Sequence, residues 1–168
     1  MIIENINFLS QLKRYTLHIC ALFLFDRLTK VYLLNVLNDN KGPINLTDFF
    51  DLVLIWNKGI SYGLFPQDSY AGQLIISGLS FLICLWVLKI INNSGNKFGM
   101  ISSVLIISGA ISNIMDRVIY SAVADFFYFH IKNFSWYVFN VADIYIVMGL
   151  FILIYGYIYP NINKKEFS

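Results

Sequence analysis

Long apolar stretches alternate with short polar ones along most of this chain. Four of them, residues 15–37, 71–91, 98–120 and 140–159, are close to the ~20 residues that a helix needs to cross a bilayer. We therefore predict an all-α integral membrane protein in which four transmembrane helices form a bundle. We expect residues 1–168 to form a single membrane domain.

The longest segment outside these stretches, residues 38–70, is too apolar for an ordinary solvated loop. It begins with Asn38–Pro43, which has the composition of a turn. Leu52–Trp56 is rich in β-branched and aromatic residues and predicts a short strand. Asn57–Gly59 supplies a turn, and Ser61–Phe65 is a candidate returning strand. We expect a small extramembrane β-sheet or half-helix that lies on the membrane surface.

The composition agrees with a membrane protein. The chain is 58% hydrophobic and 13% charged, with a net charge of +2, whereas a soluble domain is about 25% charged. A charge this small gives no argument for nucleic acid binding. Cys20 and Cys84 fall within apolar stretches, so we interpret them as small buried hydrophobic residues. His18 and His130 lack the spacing of metal ligands, and we expect neither a metal ion nor a cofactor.

Lysine and arginine are distributed unequally between the two ends of the predicted bundle. One end carries Lys13, Arg14, Lys89, Lys97, Lys164 and Lys165, and the other carries Lys41, Lys58 and Lys132. Because the richer end of a membrane protein is usually cytoplasmic, we expect both termini inside. Residues 38–70 then lie at the outer face, together with the start of the fourth helix.

Two carboxylates are predicted to meet at that outer face. Asn140 and Asp143 stand at the start of the fourth apolar stretch, and Asp125 follows the end of the third. One short loop between these helices would bring both aspartates to the same side of the membrane. An ionisable group at such a position is a candidate for function. There are also simpler interpretations: Asp143 as a carboxylate that interacts with the helix dipole, and Asp125 as an ordinary loop residue.

Polar residues also occur within the first and third stretches. Asp26 and Lys30 are four residues apart and can form an ion pair on one helix face. The third stretch carries Gly109, Asn113, Asp116 and Arg117 within an arc of roughly 100°, so that face must look into the bundle. We interpret Asp116 as an ion-pair partner of Arg117. For Arg117 a structural and a functional role remain equally open.

Four motifs occur in order, and together they resemble the lipoprotein signal peptidases, or type II signal peptidases, of bacteria. They are Asp26–Lys30, Asn57–Gly63, Gly109–Val118 followed by Asp125-Phe126, and Phe139–Asp143. The likeness extends from the first apolar stretch to the fourth, in length, helix number and motif order. The sequence departs from the usual family pattern at Ser61-Tyr62 and at Ser112, which stands where the family usually has glycine.

The resemblance implies an intramembrane aspartic endopeptidase of the bacterial cytoplasmic (inner) membrane. Its substrates would be diacylglyceryl-modified prolipoproteins, cut just before the lipidated cysteine, and its active site would lie at the outer face. We expect it to contact membrane lipid and to be a monomer. The matching motifs make Asp125 and Asp143 the catalytic pair. The implied substrate-binding or supporting residues are Asn57, Gly59, Asn113, Arg117, Asn140, Asp26 and Lys30.

A pair of aspartates suits this chemistry. Hydrolysis of a peptide bond without a metal ion needs one group to deprotonate water and another to protonate the leaving amine. Two neighbouring carboxylates in a partly dry site cannot both ionise easily, so one keeps its proton while the other acts as a base.

Other functional classes also have to be considered. A small transporter or proton-conducting bundle would use Asp26, Lys30, Asp116 and Asp143 as a relay. Such proteins tend to show internal repeats and broken helices, which this sequence lacks. A metal-dependent intramembrane protease would need a ligand motif such as His-Glu-x-x-His, which is also absent.

Overall fold

The structure is a computed structural model that describes the backbone of residues 2–40, 42–60, 65–94 and 97–159, and the side chains of residues 15–40, 42–60, 65–89 and 98–159. Within these ranges the chain forms four helices and four strands. In order they are α1 (Ile2–Asn40), β1 (Ile44–Thr47), β2 (Phe50–Asn57), α2 (Tyr70–Ser94), α3 (Lys97–Tyr120), β3 (Val123–Ile131), β4 (Phe134–Ser135) and α4 (Val141–Ile158).

Three of the described helices are long and apolar enough to cross a membrane: Tyr70–Lys89, Phe98–Tyr120 and Val141–Ile158. Each lies within two residues of a predicted apolar stretch. The predicted first span, residues 15–37, falls inside the longer helix α1. Its charged residues lower its hydropathy, and its role as a fourth span stays a prediction.

The four strands form one antiparallel sheet in the order β1-β2-β3-β4. The predicted strand at residues 52–56 lies within β2, which pairs with β1 on one side and with β3 on the other. The predicted returning strand, Ser61–Phe65, is described only at its last residue. Ser61 to Leu64 lie outside the described residues, and Phe65 is not in a strand. The described part of residues 42–69 contains strands and no helix. Of the two predicted alternatives, it therefore forms the small sheet and not the half-helix.

The connection between α3 and α4 is a β-hairpin instead of the short loop assumed from the sequence. Asp125 therefore lies on a strand, where it pairs with Ile55 of β2. The segment that follows the hairpin returns to β3, because the backbone N–H groups of Phe126 and Phe127 both donate to the Phe139 carbonyl at 3.0 and 2.9 Å. This contact places Asn140, the residue before α4, beside Asp125.

The helices present large apolar side chains outwards. Phe81 and Trp86 of α2 and Phe151 of α4 are each more than half exposed. Such a surface is suited to lipid and not to water. Cys84 is buried as predicted, whereas Cys20 is exposed, so the expectation that both cysteines are buried is wrong for Cys20.

Helices α3 and α4 pack closely through glycine. A Cβ atom added at Gly109 would clash with the Ala142 carbonyl oxygen, and one added at Gly149 would lie 2.9 Å from the Ser102 carbonyl oxygen. Small residues allow membrane helices to approach each other in this way. Since Ala142 precedes Asp143 directly, the contact at Gly109 also sets the position of the Asp143 carboxylate relative to α3.

We predict that Gly109→Ala lowers the free energy of unfolding by about 1–3 kcal/mol, because the added methyl group has to push α4 away from α3. Thermal unfolding in detergent measures this effect. Gly78→Ala is the matched control, since Gly78 also lies in an apolar helix but nothing lies within 4 Å of its added Cβ. Equal melting temperatures for the two variants would contradict the prediction.

Candidate active site

Asp125 is a buried carboxylate held by two side-chain amides. It is 2% exposed. Asn57, at the end of β2, donates from Nδ2 to Asp125 Oδ2 at 3.0 Å, and Asn140 donates from Nδ2 to Asp125 Oδ1 at 2.7 Å. Both donors are neutral, so the carboxylate receives hydrogen bonds without a full compensating charge from them.

Asp143 lies in the first turn of α4, where Asn140 is the N-cap residue. The Asp143 N–H donates to Asn140 Oδ1 at 3.0 Å, and the Asn140 N–H donates to Asp143 Oδ2 at 3.1 Å, which is a capping box. The carboxylate at the helix N-terminus foreseen from the sequence is therefore present. The other oxygen, Oδ1, accepts a hydrogen bond from Asn113 Nδ2 of α3 at 2.8 Å.

The two carboxylates are connected through Asn140 and Asn113. The Nδ2 group of Asn140 that donates to Asp125 also lies 3.3 Å from Asn113 Oδ1. Asn113 in turn donates to Asp143. The structure thus brings together, at one end of α3 and α4, four of the residues singled out from the sequence.

The pKa of the Asp125 carboxyl is raised to about 7. Burial is the largest cause, and the negative charge of Asp143 adds to it, whereas the hydrogen bonds from Asn57 and Asn140 and the positive charge of Lys30 oppose the shift. A carboxyl group with this pKa can hold a proton near neutral pH, which an exposed aspartate cannot do.

A cluster of four charged side chains, three of them buried, lies next to these carboxylates. Lys30 Nζ of α1 lies 2.7 Å from Asp116 Oδ2 and 3.2 Å from Asp26 Oδ2, and Arg27 pairs with the other oxygen of Asp116. Two acids and two bases make the cluster neutral. Lys30 also donates to Asn113 Oδ1 at 2.9 Å, and this contact links the cluster to the candidate site.

The predicted ion pair between Asp116 and Arg117 is wrong. The partners of Asp116 are Arg27 and Lys30. Neighbouring residues of a helix point about 100° apart, so Asp116 faces α1 while Arg117 faces the turn after β2. Arg117 donates from Nη2 to the Gly59 carbonyl at 3.0 Å, and its Nε has no hydrogen-bond partner among the described residues.

Arg27 and Ser112 were not identified from the sequence as part of this arrangement. Ser112 donates its hydroxyl to Asp26 Oδ2, and Asp26 Oδ1 accepts the Ala142 N–H of α4 at 2.8 Å. The charges of the other three members of the cluster could have pointed to Arg27. Asp26, Lys30 and Asp116 sum to −1, so burying all three calls for one more cation nearby.

A cavity of about 420 Å³ opens in front of the two carboxylates. Its polar wall includes Asp125, Asp143 and Arg117, and its apolar wall is formed by residues such as Trp136 of the hairpin connection and Val147 of α4. The cavity therefore offers hydrogen-bonding groups on one side and an apolar surface on the other. This combination suits an extended peptide with apolar side chains.

An apolar helix bundle that encloses buried charged groups is typical of a membrane protein. The fold agrees with this class. It matches a solved bacterial membrane enzyme with a TM-score of 0.71 and 22% sequence identity, over 93% of this chain and 94% of that one. A second bacterial membrane enzyme structure matches with a TM-score of 0.69.

Sequence comparison defines the family. The family model described as Signal peptidase (SPase) II matches residues 18–159. A lipoprotein signal peptidase of Nitrobacter hamburgensis is 42% identical over 144 residues, which cover 80% of this chain and 85% of that protein. One of Pelagibacter ubique is 41% identical over 153 residues, covering 88% of each. The chain belongs to the signal peptidase II family. It is therefore a peptidase and a bacterial membrane protein, as the resemblance seen in the sequence implied.

We predict that Lys30→Met destabilises the protein by about 3–5 kcal/mol, because it leaves the buried carboxylates of Asp26 and Asp116 with a single cation between them. Thermal unfolding in detergent measures the loss. Lys132→Met removes an exposed lysine from the hairpin and serves as the control. A Lys30→Met variant as stable as this control would show that the cluster does not hold the helices together.

Proposed function

We propose that this chain is an aspartic endopeptidase that removes signal peptides from diacylglyceryl-modified prolipoproteins. Cleavage would occur just before the lipidated cysteine, by a water molecule activated between Asp125 and Asp143. The observation that carries the proposal is the connection of these two carboxylates through Asn140 and Asn113 at the wall of one cavity. The lipoprotein signal peptidases to which the chain is similar support the substrate class.

The mechanism requires the two aspartates to share one proton. The raised pKa of Asp125 supports this, since a carboxyl group with a pKa of about 7 can retain its proton beside an ionised neighbour. The ionised carboxylate takes a proton from water, which attacks the scissile carbonyl carbon. The protonated carboxyl group then donates to the leaving amine. The pair is expected to titrate jointly, so the two roles belong to the pair and not to fixed residues.

The supporting residues have separate tasks in this proposal. Asn113 and Asn140 orient the carboxylates through the hydrogen bonds described above. The Gly59 carbonyl accepts a hydrogen bond from the Arg117 guanidinium group, and this contact keeps the turn after β2 at the edge of the cavity. Asp26 and Lys30 are proposed to act further from the chemistry, by holding α4 and Asn113 in place.

The location of the cavity suits a lipidated substrate. The diacylglyceryl group would keep its acyl chains in the outer half of the bilayer, and the signal peptide would continue into the membrane as a helix. We infer that the site lies at the outer face of the inner membrane, with both termini in the cytoplasm, and that the protein acts as a monomer in contact with lipid. Membership of a peptidase family gives no support to the alternative that the chain is a transporter.

We predict that Asp125→Asn and Asp143→Asn each lower kcat for a diacylglyceryl-modified prolipoprotein at least about 100-fold, because each variant removes one of the two groups that transfer protons. Purified protein and gel-based detection of the cleaved product measure the effect. A chelator should leave wild-type activity unchanged.

Asp51→Asn is the matched control. Asp51 is also a buried carboxylate of the same sheet, but its partners are His130 at 2.9 Å and Asn45 at 3.1 Å. This variant should keep near wild-type activity. Full cleavage by either candidate-site variant, or inhibition of the wild type by the chelator, would refute the aspartic mechanism.

We predict that a cysteine placed at Asn133, an exposed position in the β3–β4 hairpin, reacts with a membrane-impermeant maleimide added to intact spheroplasts. The two native cysteines are replaced by alanine in this experiment, so that only the new thiol is labelled. Labelling that requires permeabilised membranes would place the sheet on the cytoplasmic side and reverse the proposed orientation.

A further inference from the structure

The peptide unit between Lys58 and Gly59 connects a buried glutamine to the candidate site. Its carbonyl oxygen, on Lys58, accepts a hydrogen bond from Gln73 Nε2 at 2.7 Å. Its N–H, on Gly59, donates to Asn57 Oδ1 at 2.9 Å. The amide of Asn57 then donates to Asp125 Oδ2 at 3.0 Å. The side-chain amide of Gln73, the Lys58–Gly59 peptide and the side-chain amide of Asn57 thus form a chain of three amide groups, in which each donates to the next and the last donates to the carboxylate.

We propose that Gln73 is a positioning residue that holds the Lys58–Gly59 peptide so that Asn57 donates to Asp125. The proposal rests on the proposed function for its consequence in catalysis, but the hydrogen-bonded chain itself can be tested without activity. Gln73 lies in the first turn of α2, does not line the cavity, and is not among the residues singled out by the sequence motifs.

Peptide planarity explains how Gln73 acts at this distance. The carbonyl oxygen and the N–H of a trans peptide point in opposite directions, so fixing one of them fixes the other. When Gln73 holds the Lys58 oxygen, the Gly59 N–H is directed at Asn57 Oδ1. This N–H also decides which end of the Asn57 amide faces Asp125. With Oδ1 occupied as an acceptor, the NH₂ group is the end that remains for the carboxylate.

The orientation of Gln73 is determined by its own partners. Its Nε2 donates to two carbonyl oxygens, those of Lys58 and Gln67, both at 2.7 Å. Only the NH₂ end can satisfy two acceptors. Gln73 is fully buried, with 0% exposure, and its Oε1 has no hydrogen-bond partner among the described residues. Burying this amide with one end unpaired is costly, which indicates that its two donor contacts are important for the structure.

The same turn is held from several directions. The Gln67 N–H donates to the Lys58 oxygen at 3.1 Å, and Arg117 donates to the Gly59 oxygen at 3.0 Å. Lys58 Nζ also pairs with Asp68 at 2.8 Å, but both of these side chains are exposed. An exposed ion pair contributes little, so the buried contacts from Gln73 are expected to control the turn.

Hydrogen bonds in a chain of amides polarise one another, and the last donor of this chain faces a carboxylate. Gln73 should therefore favour the ionised form of Asp125. Three other charged groups act on Asp125: Asp143 of α4, Lys30 of α1 and Arg117 of α3. None of them is changed by substitution of Gln73, so a shift in the titration of Asp125 reports on the amide chain.

The test compares Gln73→Met, Asn57→Ala and the double variant with the wild type. The wild type should lose cleavage activity above about pH 7, where the acid pair loses its last proton. Loss of a hydrogen bond to the ionised form raises the pKa of an acid. Gln73→Met should therefore move this alkaline limb upwards by about half a pH unit, and Asn57→Ala should move it in the same direction by at least as much. The double variant should shift no further than Asn57→Ala, since the effect of Gln73 passes through Asn57.

A direct titration of Asp125 separates this proposal from the proposed function. NMR of protein labelled with ¹³C at the aspartate carboxyl groups, assigned with Asp125→Asn, reads the same midpoint in detergent without substrate. An upward shift in Gln73→Met supports the chain of amides even if no lipidated substrate is cleaved. Asp68→Asn, which removes only the exposed ion pair of the turn, is the control and should leave the midpoint unchanged.

Two results would overturn the proposal. One is an unchanged Asp125 midpoint in a folded Gln73→Met protein, even if its KM or melting temperature changes, because a merely structural role has that effect. The other is a shift in the double variant equal to the sum of the single shifts. If Gln73→Met does not fold, Gln73→Leu also removes the NH₂ donor without adding a charge and is judged by the same criteria.

Discussion

The rest of the polar interior depends on the contacts that the ammonium group of Lys30 makes. This group lies within 3.2 Å of oxygens from Asp26, Asn113 and Asp116, and so connects α1 to α3. Asp26 extends the connection to the start of α4 through the Ala142 N–H. Charged groups in an apolar interior are stable only when they are paired and hydrogen-bonded. The helices must therefore pack so that these partners meet.

This constraint also orients the candidate site. Because Asn113 Oδ1 accepts from Lys30, its NH₂ group is directed towards Asp143. The N-cap contacts of Asn140 fix its backbone and Oδ1, which leaves its NH₂ group for Asp125. The orientation of the Asn113 amide thus follows from Lys30, outside the acid pair, and that of the Asn140 amide follows from the backbone N–H of Asp143. Such an arrangement needs little reorganisation when a substrate enters, which is the condition for efficient electrostatic catalysis.

The sequence predicted the helices well and the sheet only in part. Apolar length alone defines a membrane-length helix, and α3 and α4 lie within one or two residues of the predicted spans. Strand β3 was missed because Val123–Ile131 is mostly apolar and aromatic and shows no regular alternation of polar and apolar residues. In addition, its partner β2 lies more than 60 residues earlier in the chain. Pairing over such a distance has no local signal.

The candidate residues were found from the sequence, but their connections were not. Asp125 was expected near Asp143 through a short loop, whereas a strand and the Phe139 contact bring Asn140 beside it. The ion-pair partner of Asp116 was misassigned because chain neighbours were favoured over residues that face each other across helices. The contacts of Gln73 run through a backbone peptide, which no side-chain motif reveals.

Asp26, Asp116, Asp125 and Asp143 lie close together within the described residues, and their partners divide them into two kinds. Asp26 and Asp116 contact the cations Lys30 and Arg27, so their negative charge is compensated. Asp125 and Asp143 receive their side-chain hydrogen bonds from asparagine amides, which supply donors without a full charge. A carboxylate held in this way is oriented but not neutralised, and burial can then raise its affinity for a proton, as it does for Asp125. Replacing one of these asparagines by lysine would strengthen the contact, but it would also remove the reason for the acid to keep a proton. Neutral amides surround one pair and cations surround the other, and this is the physical difference between the acids that are paired across the helices and those that we propose to transfer protons.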